Sequence, residues 1–449
     1  MSENIVAHLI IEAKTAFRFS SSSFCALQDS PIMRDFNGLP FILGTSLCGI
    51  LRDNAKTHLQ KTHANALDEL FGTREKASKL IFSNALLLDE NMQVCEFVKA
   101  KSEFSSFLQH FVALPQRQHN AMSDKGACKV GAKFDEEVIY KGARFKFSLQ
   151  MCLENDAQKE LFFELLSLFN ASVLRLGSGV NKGFGRVSVR KISYEIFKIN
   201  EAHKISSSLN VPLSQNFTPK PLQSLNFTHY KLNLTPENVF IFGSGYGDED
   251  VDSVGVIEKV VDYESANLGS VKVLIPASSI KGALSHRTLF YINENLGNFI
   301  DTNKANSAHS ANLPQNLLNL DEKAAQIHAT LFGSTASKGK ILINDIYLNG
   351  TKTQIFTHNS IDRLSGAVKN GALFQEKTNA LPKNSAFCLY ISVQNSDTAD
   401  FKLALSAFEK ALKDLCCGLL PLGAMSNKGH SFFKATLEKK RSKVWIIRI

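Results

Sequence analysis

Two aspartate-bearing loops and two lysine-bearing turns hold most of the chemistry that this 449-residue sequence offers. Asp29 stands in Asp-Ser-Pro, and Asp252 follows Asp248, Glu249 and Asp250 in a second glycine-containing loop. A carboxylate so placed can accept a proton or help hold a divalent cation. The plainer reading of Asp29 is a turn residue, since Asp bonds its own backbone and Pro fixes φ. For the cluster at 248–252 the plainer reading is a solvated acidic loop. Asn181-Lys182-Gly183 and Asn427-Lys428-Gly429 close glycine-rich turns, where backbone N–H groups and a lysine together suit a phosphate. The first turn is not a nucleotide-binding P-loop, because its spacing is wrong and it follows a helix instead of a strand. None of the eight cysteines forms a Cys-x-x-Cys pair. That argues against a zinc knuckle and fits reduced thiols in the cytoplasm.

The net charge of +9 favours polyanionic partners. The length suits two domains, and the hydrophobic fraction of 44% is that of an ordinary globular chain. No apolar run reaches bilayer length, so no membrane partner is expected. The first residues carry acidic groups where a signal peptide carries basic ones, which again predicts a cytoplasmic protein.

These residues sit in a sequence that repeats itself. Residues 43–52, Leu-Gly-Thr-Ser-Leu-Cys-Gly-Ile-Leu-Arg, match 275–284, Ile-Pro-Ala-Ser-Ser-Ile-Lys-Gly-Ala-Leu. Each places Ser or Thr before a helical apolar pattern, where a hydroxyl can cap free N–H groups. Leu70-Phe71-Gly72 and Leu331-Phe332-Gly333 each precede a strand-like stretch. Phe145, Phe147, Leu149 and Met151 alternate with polar residues, as do Phe387, Leu389, Ile391 and Val393. A helix, a glycine-rich turn and a last strand close both copies, one constant offset relating Gly177 to Gly423 and Lys182 to Lys428. Each copy reads as strand, helix, strand, long insertion, strand, helix, strand. That predicts a ferredoxin-like α+β unit whose antiparallel sheet has helices on one face. The other face is expected to be free, as in RRM-type domains that bind RNA there. The units span 1–199 and 228–449, and the Ser-, Asn- and Pro-rich stretch 200–227 reads as a linker.

Asp-Ser-Pro-Ile-Met-Arg-Asp at 29–35 and His-Asn-Ser-Ile-Asp-Arg-Leu-Ser-Gly at 358–366 resemble motifs of the RAMP superfamily of CRISPR-associated proteins. The closest resemblance is to the backbone subunit that polymerises along guide RNA in type III effector complexes. It covers nearly the whole chain, once per copy. It implies two ferredoxin-like (RRM-like) palms in tandem, each with a β-hairpin thumb insertion that displaces bases of the guide–target duplex. The thumbs would be residues 115–137 and 357–377. It implies as partners a guide RNA, complementary target RNA and other type III effector subunits.

The resemblance further implies cleavage of target RNA with Mg²⁺ or Mn²⁺. Asp29 matches the family's required aspartate and would also contact the metal. Asp252, which lacks a following proline, is its counterpart. RNA carries its own nucleophile, the 2′-OH, so cleavage needs in-line alignment and removal of that proton, giving a 2′,3′-cyclic phosphate and a 5′-OH. RNA contacts are implied for Arg34, Ser46, Arg52, Lys182 and Arg186 in the first unit. In the second they are implied for Ser279, Lys281, Arg287, His358, Asn359, Arg363 and Lys428. For the arginines and lysines among them the plainer reading is a solvated surface charge. Cys48 stands where a lysine is expected before Gly49, and Ser431 stands opposite Gly185. His119 and His358, at the thumb bases, read as hairpin-stabilising or guide-contacting. Two alternatives remain: an inert guide-RNA scaffold, and a precursor-guide-processing endoribonuclease with a histidine-centred site. The two thumb motifs argue against the second.

Overall fold

The computed structural model describes residues 3–21, 29–122, 128–171, 173–220, 226–298 and 315–441, with the backbone alone at 60–65, 199, 202, 315–321 and 441. Cys25, the 123–127 segment of the first thumb and 221–225 of the linker lie outside the described residues.

The first unit comprises β1 (Glu3–Ala13), α1 (Gly44–Phe71), β2 (Leu80–Phe82), β3 (Arg144–Leu153), α2 (Asp156–Leu168) and β4 (Val187–Lys198). Strand β1 runs antiparallel between β3 and β4, and β2 pairs with the far side of β3. The second unit comprises β5 (Phe227–Pro236), α3 (Ala277–Leu296), α4 (Gln315–Phe332), β6 (Ile341–Ile343), β7 (Phe387–Gln394), α5 (Ala399–Cys416) and β8 (Phe433–Arg441). Its sheet order, β6-β7-β5-β8, repeats β2-β3-β1-β4. Both are the split βαβ arrangement of a ferredoxin-like palm. The period-two pattern explains the cores: Leu9 faces Phe147 and Ala7 faces Leu149, as Leu232 faces Leu389 and Tyr230 faces Ile391. Helix α5 adds Ala404, Phe408, Ala411 and Leu415 at helical spacing to the second core.

The helix starts differ from the expected hydroxyl caps. Leu43 and Pro276 occupy the N-cap positions, with no side-chain bond to the first turn. Side chains from across the palm serve instead: Asn84 Oδ1 accepts from Gly44 N, and Asp345 Oδ1 accepts from Ala277 N, each at 2.9 Å. Thr45, Ser46, Ser278 and Ser279 thus lie inside the helices.

The expectation of a free sheet face fails in the first unit. Val6, His8 and Glu12 on β1, with Ser148 and Ser193 beside them, are buried. Glu12 there gathers Lys14, Arg144 and Arg190. Burial would raise its pKa, but hydrogen bonds from Arg190 and Lys14 overcome that and hold it at about 2. The linker is also bound: Leu209 is buried in the first core, Phe217 stacks on Phe163 at 4.8 Å, and Gln215–Asn216 pair with β4.

Both thumbs are hairpins. Gln116–His119 pairs with Phe134–Glu137 and Lys352–His358 with Phe374–Ala380; His119 faces Phe134 as His358 faces Phe374. Arg117 of the first thumb joins the units. Buried, it forms ion pairs with Glu258 and with Asp345 (2.6 Å), and Tyr347 Oη lies 3.2 Å from it. The matching second-thumb residue is Phe356, and the first unit carries Asn84 and Leu86 where the second has Asp345 and Tyr347. The hairpin around Val261 and Tyr263 inserts into the first core, where Tyr263 Oη donates to Leu88 O at 2.9 Å.

Candidate nucleic-acid interface

The two aspartates occupy equivalent places. Asp29 N donates to Asp135 Oδ1 (2.9 Å), and Asp135 N donates to Asp29 Oδ2 (3.0 Å). Asp252 N donates to Gln375 O (3.0 Å), and Gln375 N donates to Asp252 Oδ2 (2.7 Å). Asp135 and Gln375 each follow the phenylalanine that faces the thumb histidine. Each carboxylate is therefore pinned at one oxygen to the base of a thumb, with its residue exposed. The units differ in what stands opposite: a second carboxylate, Asp135, in the first, and a neutral amide, Gln375, in the second. Mg²⁺ is held by one or two carboxylates plus water and phosphate oxygens, so the first site fits such a cation better. The other acidic residues of the second loop are differently engaged. Asp248 pairs with Lys377 at 2.6 Å and accepts from the backbone N–H groups of Asp250 and Val251.

Behind each aspartate lies a buried glutamate. Glu136 contacts Arg18, Lys182 Nζ (2.8 Å) and His119 Nε2 (3.0 Å). Burial would raise its pKa, but His119, Lys182 and Arg18 outweigh that and hold it at about 2. Glu376 holds the same place, with His358 Nε2 and His430 Nε2 both 2.9 Å from Oε1 and Lys428 Nζ 3.6 Å from Oε2. Lys182 lies 4.5 Å from the Phe134 ring centre and Lys428 lies 4.7 Å from that of Phe374. The lysines of the glycine-rich turns and the thumb histidines thus meet at one point in each unit.

Close approach explains the turn glycines. A Cβ on Gly177 would stand 2.1 Å from Arg18 O, and one on Gly423 2.5 Å from Ile241 O. Ser431 takes the left-handed backbone of Gly185 (φ +66° and +84°), held by its Oγ donating to Ala424 O at 2.9 Å. In the first unit this turn and the start of α1 line a cavity of about 470 Å³, bordered by Phe19, Ser46, Gly49, Gly177 and Ser178.

The other candidates divide. Ser279, Asn359 and Arg363 are exposed, the last two on the second thumb. Arg34 turns inward instead of outward, donating to Gly38 O, Phe111 O and Glu137. Arg52 Nη2 donates to Gly72 O (2.9 Å) past the end of α1, and Lys281 Nζ to Phe332 O (3.2 Å). Burial lowers the pKa of Lys281 and of Arg186. Arg287 pairs with Asp414 at 2.6 Å, tying α3 to α5. Arg34, Arg52 and Arg287 thus each make contacts that hold the palm together. The sequence reading missed Glu136, Glu376, Asp135, Arg18 and His430. A repeated Phe-x-Glu, at 134–136 and 374–376, was the available signal.

Tandem ferredoxin-like palms, each carrying a hairpin thumb whose base meets a lysine-bearing glycine-rich turn, define a class of RNA-holding scaffold. The RAMP superfamily model matches residues 10–188 and 241–434, and the chain belongs to that superfamily. It is accordingly a CRISPR-associated RNA-binding protein with RNA and effector-complex partners. No curated protein matches the chain. Among the described residues no helix is long and apolar enough to cross a membrane.

Proposed function

We propose that this chain is a two-unit backbone subunit of a type III CRISPR effector complex that holds guide RNA and cuts complementary target RNA at Asp29. The observation that carries this is the pinning of Asp29 to the thumb base, repeated at Asp252. A thumb that displaces a base opens the RNA backbone beside its own root. There the exposed carboxylate can take the proton of the 2′-OH, which attacks the adjacent phosphorus and expels the 5′-oxygen. A bound Mg²⁺ or Mn²⁺ would neutralise charge on the phosphate. Asp29 with Asp135 would hold it in the first unit, and Asp252 alone in the second. Lys182, Lys428 and the exposed Arg363 supply phosphate-directed charge.

The absence of a second carboxylate opposite Asp252 favours the first unit as the stronger cutter. The test uses the assembled complex, complementary RNA and Mg²⁺ or Mn²⁺. Asp29→Ala should abolish one set of products ending in 2′,3′-cyclic phosphate, while Asp252→Ala should remove a weaker set. Intact RNA with the wild-type complex, or full cleavage by the double variant, would refute the reading and leave a guide-RNA scaffold.

A further inference from the structure

We infer that His358, Glu376 and His430 form a site for a divalent transition-metal ion that fastens the second thumb to its palm. The inference is independent of target cleavage. Their ligand atoms lie within 4.8 Å of one another. His358 and Glu376 come from the two thumb strands, and His430 from the turn that follows Lys428. Two imidazoles and a carboxylate are a donor set for Zn²⁺, Co²⁺ or Ni²⁺, distinct from the all-oxygen set that Mg²⁺ prefers.

Comparison of the two units carries the argument. Glu136 and Glu376 are both buried at matched positions, and a buried carboxylate needs compensation. The first unit supplies a guanidinium, Arg18, together with Lys182 at 2.8 Å. In the second unit the matching residue is the apolar Ile241, identified by its carbonyl facing Gly423 as that of Arg18 faces Gly177. Lys428 has also withdrawn to 3.6 Å from Glu376, against 2.8 Å for Lys182 and Glu136. In exchange the second unit has gained an imidazole: His430 stands where the first has Phe184. Phe356 and Phe374 lie beside the two rings, and among the described residues Lys428 is the further charged group that contacts the cluster. A metal ion would restore the lost positive charge and link three chain segments at once. The His358 side chain is 32% exposed, which leaves a route for the ion and a position for water.

The full-length chain titrated with Co²⁺ at neutral pH tests this. The expected result is one equivalent bound with visible ligand-field absorption and no thiolate charge-transfer band, since the chain also carries free cysteines. Zn²⁺ should displace the Co²⁺ and raise the melting temperature. His430→Phe, which restores the first unit's residue, should lose both effects, and His119→Ala should keep them. Should His430→Phe not fold, His358→Asn provides the same loss. Absence of the spectrum in the wild type, its retention in His430→Phe, or a thiolate band in its place would overturn the inference. The two histidines would then be hydrogen-bond donors to Glu376.

Discussion

Replacing Glu136 by Gln tests how the first thumb is held. The carboxylate sits at a pKa of about 2 instead of 4.5, so its ionised form is favoured in the folded state. That difference corresponds to about 3 kcal/mol at neutral pH. An independent route gives a similar figure. Arg18 is only 3% exposed, and removing one partner of a buried pair costs about 3–5 kcal/mol. A depressed carboxylate contributes stability above its unfolded pKa and loses it as pH falls through the folded one. The gap between wild type and Glu136→Gln should therefore be full at pH 7 and shrink between about pH 4.5 and about pH 2. Glu12, also held at about 2, is present in both proteins and cancels from the difference. Urea unfolding midpoints at pH 7 and at low pH supply the measurement. An unchanged midpoint at pH 7, or an equal gap at both pH values, would refute the assignment of Glu136 as the charged anchor of thumb and turn.

Arg117→Met should destabilise the chain by about 3–5 kcal/mol, because it leaves Glu258 and Asp345 buried without their guanidinium; thermal melting would register it. Gly177→Ala meets the Arg18 carbonyl at 2.1 Å with φ at +82°, so the turn must shift; both the melting temperature and the yield of co-purified RNA should fall. Lys428→Ala should weaken RNA binding about equally for all sequences and lower the slope of log affinity against log salt by about one, read by filter binding across a salt series.

The duplicated palm was legible because two periodicities and a fixed offset recur, and each records a burial pattern that the sheet and helices then satisfy. The thumbs were placed by resemblance, and their histidines by position. The buried glutamate centre of each thumb base was not legible. Glu136 meets Arg18 and Lys182 only because three distant segments converge there, and no local spacing announces that. Arg34, Arg52 and Arg287 show a second limit. Arginine in a matched motif looks the same whether it awaits a phosphate or satisfies a carbonyl inside the fold. The helix starts show the same limit, since the serines near the caps are bystanders to Asn84 and Asp345.

The Arg117 joint has a consequence for growth by end-to-end addition. A contact between unlike surfaces propagates into a filament when each end of the protomer can repeat it. Here neither end can. The outward thumb offers the ring of Phe356 where the joint needs a guanidinium, and the outward palm offers Asn84 and Leu86 where it needs an acid and a phenol. Stacking identical chains would therefore forfeit the ion pairs that fix the internal step. The step that joins the two units is therefore written into residues that occur once in the chain, and those residues do not recur at the second thumb or the first palm.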